Sequence, residues 1–209
     1  MLPLEKMAID KLPLVYLARH GETPWSLTGQ HTGLSDIALT ENGEEQARKL
    51  GERLKGLEFA RVFSSPLQRA KRTGELAGFG AQIEVLDELS ELHYGAFEGV
   101  TTKDILNTRP DFHPFRDGFP EGESVAEIGA RADLVVKRIR EADQESGRKN
   151  ILVFSHGHML RFVAASFLNL PSPEARIFNL ATASVSILGY DHNLTEPVIK
   201  LWNDTSHLA

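Results

Sequence analysis

An α/β domain built on a mostly parallel sheet follows from three features of the sequence. Short apolar runs alternate with amphipathic, helix-patterned segments along the chain. Two of those runs, L-V-Y-L-A-R-His20-Gly21 and I-L-V-F-S-His156-Gly157, end on the same pair of residues. At 209 residues, with no break in composition, the chain reads as one domain (1–209) long enough to bury a substantial core. In an open parallel sheet the ligand crevice lies beyond the carboxyl ends of the strands, so His20 and His156 are expected to converge there.

The elements follow in order. Residues 1–12 contain acids and prolines and lack the continuous apolar stretch of a signal peptide, so they read as a short tail. Residues 14–19 form the first strand, and a polar loop continues through Asp36. Thr40 then caps a helix whose Ala47, Leu50, Leu54 and Leu57 make one apolar stripe. A-R-V-F-S-S is the next strand, after which Ser65 is the expected N-cap and Pro66 the first helical residue. Arg69 falls in the opening turn of that helix, Gly78 ends it, and Q-I-E-V-L is a further strand.

Residues 87–123 lose periodicity, apart from a short helical segment around Lys103 to Thr108, and gather glycine, proline, histidine and aromatics. A long irregular insertion of this kind is expected to cover a site. Ser124 and Glu127 form a capping box, and Val125, Ile128, Ala132, Val135 and Ile139 give a long amphipathic helix. The second His-Gly strand comes next, then a helix from about His158 to Leu168. S-V-S-I-L-G-Y and P-V-I-K-L-W are the last two strands.

Composition narrows the chemistry. No cysteine is present, which removes disulfides, thiol catalysis and cysteine metal sites. A formal charge of -6 opposes a broad nucleic-acid or anionic-membrane surface, so any anion site must be focused in a pocket. No run approaches the ~20 apolar residues of a membrane span. A soluble, cytoplasmic protein with no nucleic-acid or membrane partner is expected.

Arg19-His20-Gly21 sets a fixed cation beside an imidazole, with a glycine that lets the backbone turn and approach a ligand. A neutral imidazole is a nucleophile, and a guanidinium both binds phosphate oxygens and disfavours the imidazolium. Arg69, just after a strand and in a first helical turn, offers a second phosphate clamp. Glu88, Glu91 and Glu98 lie in D-E-L-S-E-L-H-Y-G-A-F-E-G; near bound phosphate any of the three can serve as a general acid, and the residues alone do not choose among them. His156-Gly157-His158 also invites a metal reading, but Arg19 beside His20 is a poor neighbour for a dication and no carboxylate set accompanies the pair. No metal and no cofactor are expected. His158, His31, His93, His113, His192 and His207 read individually as hydrogen-bonding or surface residues.

R-H-G-E-T, S-S-P-L-Q-R-A, E-L-H-Y-G-A-F-E-G and S-H-G-H, in that order across roughly residues 14 to 190, resemble the histidine phosphatase superfamily of phosphoglycerate mutase-like enzymes. The resemblance implies a three-layer α/β/α sandwich of the phosphoglycerate mutase-like type. It implies His20 as the nucleophile that forms a phosphohistidine, surrounded by Arg19, Arg69 and His156. It also implies Glu91 as the proton donor, which leaves Glu88 and Glu98 structural. Mutases that use bisphosphoglycerate have asparagine where Ser26 stands and a longer basic insertion, and this chain has neither, which favours water as acceptor.

The stretch Trp25 to Asp36 and the H-G-H-x-x-R run from His156 to Arg161 resemble sedoheptulose-bisphosphatase-like proteins and broad acid phosphatases. Both imply a small phosphorylated metabolite as partner. Thr32 and Gly33 match phosphate-contacting positions, Ser26, Tyr94 and Gly157 join the substrate-binding set, Arg161 is placed to hold a distal group, and Arg116 is a specificity candidate within the insertion. A homodimer is a family-level expectation. Two alternatives stand beside the phosphatase: a phosphoglycerate mutase, and a non-catalytic phosphate-binding or interaction module on the same fold.

Overall fold

The computed structural model describes residues 12–147 and 149–209; the expected tail, apart from Leu12, lies outside the described residues. The chain runs β1 (Val15–Arg19), α1 (Pro24–Thr28), α2 (Glu41–Leu54), β2 (Arg61–Ser64), α3 (Gln68–Gly74) and β3 (Ile83–Val85). It continues through α4 (Thr102–Thr108), α5 (Pro114–Asp117), α6 (Val125–Glu145), β4 (Ile151–Ser155), α7 (Gly157–Phe167), β5 (Val185–Tyr190) and β6 (Pro197–Asp204). The strands make one sheet in the order β3-β2-β4-β1-β5-β6. The first four in that order are mutually parallel, and β5 pairs antiparallel with both β1 and β6.

Side-chain alternation in the central strands divides the core into two layers. Val15, Leu17, Ile151 and Val153 face one side with Ile128, Val135, Leu160 and Val163 from α6 and α7. Tyr16, Ala18, Leu152 and Phe154 face the other with Leu50 and Leu54 from α2. Strands buried on both faces, with helices above and below, make the three-layer sandwich that the family resemblance implies. Full burial of Leu50 and Leu54 contributes about 1.5–3 kcal/mol apiece, which fixes α2 against the sheet.

The capping signals hold where the backbone is free to take them. Thr40 accepts from the Gly43 N–H at 2.9 Å, and Ser124 and Glu127 complete a reciprocal capping box. Gly78, with φ of 92°, breaks the π-helical turn that prolongs α3. Ser65 is not the N-cap: its N–H donates to Phe154 O at 3.0 Å as the sheet continues, and Leu67 takes the N-cap position. The helix therefore starts at Gln68, although Ser65 Oγ accepts from the Leu67 N–H at 3.2 Å. The loop after β1 also holds a helix that apolar periodicity did not reveal: α1 buries no residue and is nucleated instead by a Thr23–Ser26 capping box with Pro24 at its first position. Leu57 falls beyond the end of α2, and α5 sits unannounced inside the insertion.

Candidate active site

Sheet register sets the two histidines side by side. β1 and β4 pair in parallel with Arg19 opposite Ser155, and the next residue on each strand is a histidine. The His20 N–H donates to Ser155 O at 3.0 Å, and the two rings lie 5.2 Å apart between centroids. Both are buried.

His20 is held as a neutral base. Its Nδ1–H donates to Gly21 O at 2.7 Å, and because a carbonyl only accepts, the lone pair is on Nε2. Burial, then the Arg19 and Arg69 guanidiniums, keeps its pKa well below the ordinary 6.5. Gly21 has a different role from the one its position in the motif indicated. A Cβ there would lie 2.3 Å from Gly43 O, and one on Gly43 would lie 2.1 Å from Glu22 O, so both glycines permit backbone contact between the histidine loop and α2. The Gly21 N–H meanwhile donates to Thr73 Oγ1 at 3.0 Å, tying the loop to α3.

Arg19 and Arg69 are both cations pressed into the interior, and burial lowers the pKa of each. They are used differently. Arg19 lines a cavity of about 440 Å³, donates through Nη1 to Leu180 O at 2.5 Å, and has a buried Nε–H with no partner among the described residues. Gly157 makes room for it: a Cβ at that position would lie 3.3 Å from the guanidinium carbon. Arg69 is wholly buried. Its Nη1 donates to Ser35 O at 2.9 Å, its Nη2 to Thr32 O and Gly33 O at 3.1 and 2.7 Å, and its Nε to His156 Nδ1 at 3.1 Å. It therefore acts as a clamp on the Thr32–Ser35 turn.

His156 completes that buried network. With Nδ1 accepting from Arg69, its Nε2–H donates to Ser65 Oγ at 2.7 Å. Burial and then Arg69 hold its pKa well below 6.5, so His156 is a neutral hydrogen-bonding group and not a cation.

Glu91 is fixed by the first turn of α7. One oxygen accepts from the Met159 N–H at 2.9 Å and the Leu92 N–H at 3.1 Å, and the other from the His158 N–H at 3.1 Å. This places a carboxyl group at the positive end of a helix, on the wall of the cavity that also holds Arg19 and His20. Glu98 is spent on the backbone instead, accepting from the Gly33 and Ser35 N–H groups at 2.9 and 3.1 Å.

The remaining sequence-selected residues divide into two groups. Ser26, Thr32, Tyr94, Gly157 and Arg161 line the cavity. Ser26 Oγ is simultaneously engaged in the α1 cap, and Tyr94 OH is hydrogen-bonded to His158 Nδ1 at 2.7 Å. Arg161 stacks on Phe115, 4.2 Å from the ring centroid, and donates to Ala175 O and Arg176 O; burial brings its pKa down to about 10, so it stays charged at neutral pH. Gly33 and Arg116 are not brought to the cavity. Gly33 is packing space, since a Cβ would meet Glu98 Oε2 and Leu92 O at 2.4 Å. Arg116 is exposed and paired with the adjacent Asp117 at 2.6 Å in a separate surface depression.

Sequence reasoning missed Gln30, His31, Thr102, His158, Asn179 and Leu180, which also line the cavity. His158 carried a signal in its pairing with the His156-Gly157 step. The others occupy loops whose convergence is set only by the tertiary fold. Among the described residues a trio with metal-ligand spacing, Asp191, His192 and Glu196, is exposed and away from the cavity.

Comparison with known proteins assigns the family. Residues 15–205 match the model of the histidine phosphatase superfamily, branch 1. An acid phosphatase of Mycobacterium tuberculosis is 39% identical over 182 residues, covering 86% of this chain and 88% of that protein. A sedoheptulose 1,7-bisphosphatase of Saccharomyces cerevisiae is 35% identical over 185 residues, 76% of this chain and 68% of its own. A Shigella boydii protein bearing the name "Probable phosphoglycerate mutase" is 33% identical over 205 residues, 93% of this chain and 94% of its own. A solved structure of an open reading frame from Mycobacterium tuberculosis superposes with a TM-score of 0.85 at 36% identity, covering 91% of this chain and 97% of that one. A phosphoserine phosphatase of Entamoeba histolytica, solved with 3-phosphoglyceric acid, gives 0.80 at 27% identity, covering 95% and 100%. The chain belongs to the histidine phosphatase superfamily, branch 1.

Proposed function

We propose that this protein is a phosphoric monoester hydrolase that cleaves small phosphomonoesters, sugar phosphates or related metabolites, through a phosphohistidine on His20. The observation that carries the reading is a neutral His20 whose Nε2 lone pair is left free by the Nδ1–H bond to Gly21, on a cavity wall shared with Arg19 and Glu91. Relatives named acid phosphatase and sedoheptulose 1,7-bisphosphatase support hydrolysis as the outcome.

The reaction runs in two halves. His20 Nε2 attacks phosphorus as the ester P–O bond breaks, and the Glu91 carboxyl group gives its proton to the departing oxygen. The Glu91 carboxylate then takes a proton from water, whose oxygen attacks phosphorus as the P–N bond breaks, and orthophosphate leaves. Arg19, with an uncommitted Nε–H, supplies charge and a donor to the equatorial oxygens, where phosphoryl transfer gains most. Arg69 holds the Thr32–Ser35 turn, and His156, bonded to Arg69, packs beside the His20 ring.

Phosphate release from a panel of sugar phosphates, phosphoglycerates, phosphoserine and an aryl phosphate, measured beside His20→Ala and with EDTA present, tests this. Release that the variant lacks is the expected result. Silence on all substrates until a bisphosphoglycerate primer is added, with the phosphate retained in the product, would replace hydrolase by mutase.

A further inference from the structure

The nucleophile loop is held from outside the motif residues. The segment between α7 and β5 passes alongside β1, and two of its backbone groups hold the reacting side of that strand. Leu180 O accepts from Arg19 Nη1 at 2.5 Å, and the Ala183 N–H donates to His20 O at 3.0 Å. Asn179 and Leu180 also line the cavity.

This segment is itself fastened at alternate residues by three side chains from residues 202–207. Trp202 Nε1–H donates to Asn179 O at 2.8 Å. Asn203 Oδ1 accepts from the Ala181 N–H at 2.7 Å. His207 Nε2–H donates to Ala183 O at 3.0 Å. The three bonds take Asn179 O, the Ala181 N–H and Ala183 O, and Leu180 O is left for Arg19. Ala183 has φ of 52°, a left-handed conformation that alanine adopts only under constraint, and its N–H and C=O are bonded to His20 and His207 respectively. Asn203 is also left-handed, at 55°, where asparagine is tolerated. The left-handed Ala183 is thus held on both sides, by His20 and by His207, which indicates a geometry imposed by these contacts and not by local preference.

We infer that Trp202, Asn203 and His207 are positioning residues: they hold the 179–183 segment in the one conformation that orients Arg19 and His20 toward the phosphoryl group. The inference rests on the hydrolase reading only for the identity of the reaction, since the hydrogen bonds bear on anion binding whatever follows.

The test uses the full chain and the variants His207→Ala, His207→Gln, Trp202→Phe and His20→Ala. Glutamine restores an N–H donor near the position of Nε2, and phenylalanine keeps the packing of Trp202 against Phe178 (centroids 5.0 Å apart) while removing the donor. Turnover of an aryl phosphate, orthophosphate affinity by calorimetry and the thermal midpoint are measured for each. His207→Ala and Trp202→Phe are expected to lower kcat and orthophosphate affinity about tenfold, the scale of a sub-ångström misplacement of reacting groups. His207→Gln should recover most of the loss at the same thermal midpoint as His207→Ala, which a purely structural role would not give. Wild-type turnover and orthophosphate affinity in His207→Ala and Trp202→Phe, or failure of glutamine to rescue, would overturn the inference while leaving the hydrolase reading intact. Undiminished turnover in His20→Ala, with orthophosphate affinity still lost in His207→Ala, would overturn the phosphohistidine route through His20 and leave the strap standing.

Discussion

Arg69 Nε–H donates to Nδ1 of His156 at 3.1 Å, in a fully buried contact. The bond fixes His156 as the neutral Nε2–H tautomer and commits Arg69 to the interior, where its other donors satisfy three backbone carbonyls. Removing the guanidinium strands several buried acceptors at once. Arg69→Met should therefore cost about 3 kcal/mol or more of stability as well as activity. Urea unfolding beside kinetics checks this: a residue that merely touched substrate would lose activity at unchanged stability.

The three buried imidazoles His20, His156 and His158 all have pKa values well below 6.5, with burial as the leading cause. A base whose folded pKa is depressed binds fewer protons folded than unfolded, so its contribution to stability is complete above the unfolded value near 6.5 and is lost as pH falls below it. Each such group removes up to about 1.4 kcal/mol per pH unit in that window. Unfolding free energy should accordingly drop steeply from pH 6.5 to 5.5 while changing little from 7.5 to 6.5. The same depression keeps His20 deprotonated, so kcat/KM should show no acid limb at 6.5. A flat stability profile down to pH 5.5 would contradict this assignment of charge.

Gly21→Ala tests the backbone contact with Gly43. The 2.3 Å approach of a new Cβ to a carbonyl oxygen has no flexible side chain to absorb it, so the loop must move. A loss of about 1–3 kcal/mol is expected, together with reduced kcat, because the displacement begins one residue from His20. Equilibrium denaturation and steady-state kinetics read both.

Arg116→Ala tests the exclusion of that arginine from the site. Its guanidinium is exposed and engaged by Asp117 and Asp111 O, so kcat/KM should stay within about twofold of wild type on every substrate turned over. A substrate-selective loss would return Arg116 to the specificity set.

The fold and the inner site were legible for a common reason. Strands buried on both faces read as unbroken apolar runs, and each carried its functional residue at the exit, so His20 and His156 were located by the same signal that located β1 and β4. Ser124 and Glu127 announced α6 because a capping box is local chemistry. The structure adds contacts at Arg69 and Gly33 that their motif positions did not announce. Both motif positions point to phosphate, and in the structure Arg69 donates to the carbonyls of the Thr32–Ser35 turn while the Gly33 N–H donates to Glu98. Asn179 and Leu180 left no trace, since their place on the cavity wall depends on hydrogen bonds to Trp202 and Arg19 made across long sequence separations. α1 had its Thr23–Ser26 box and Pro24 in plain view, yet with no buried residue it lacked the apolar stripe by which helices are usually found.

The central claim is that His20 carries the phosphoryl group. Rapid quenching of the enzyme with labelled phosphomonoester, followed by peptide mapping, addresses it directly. The account predicts an acid-labile, alkali-stable phosphoryl group on the peptide containing His20, formed and consumed at the rate of turnover and absent from His20→Ala. Undiminished phosphate release by His20→Ala, or a phosphoryl group mapped to another residue, would contradict it.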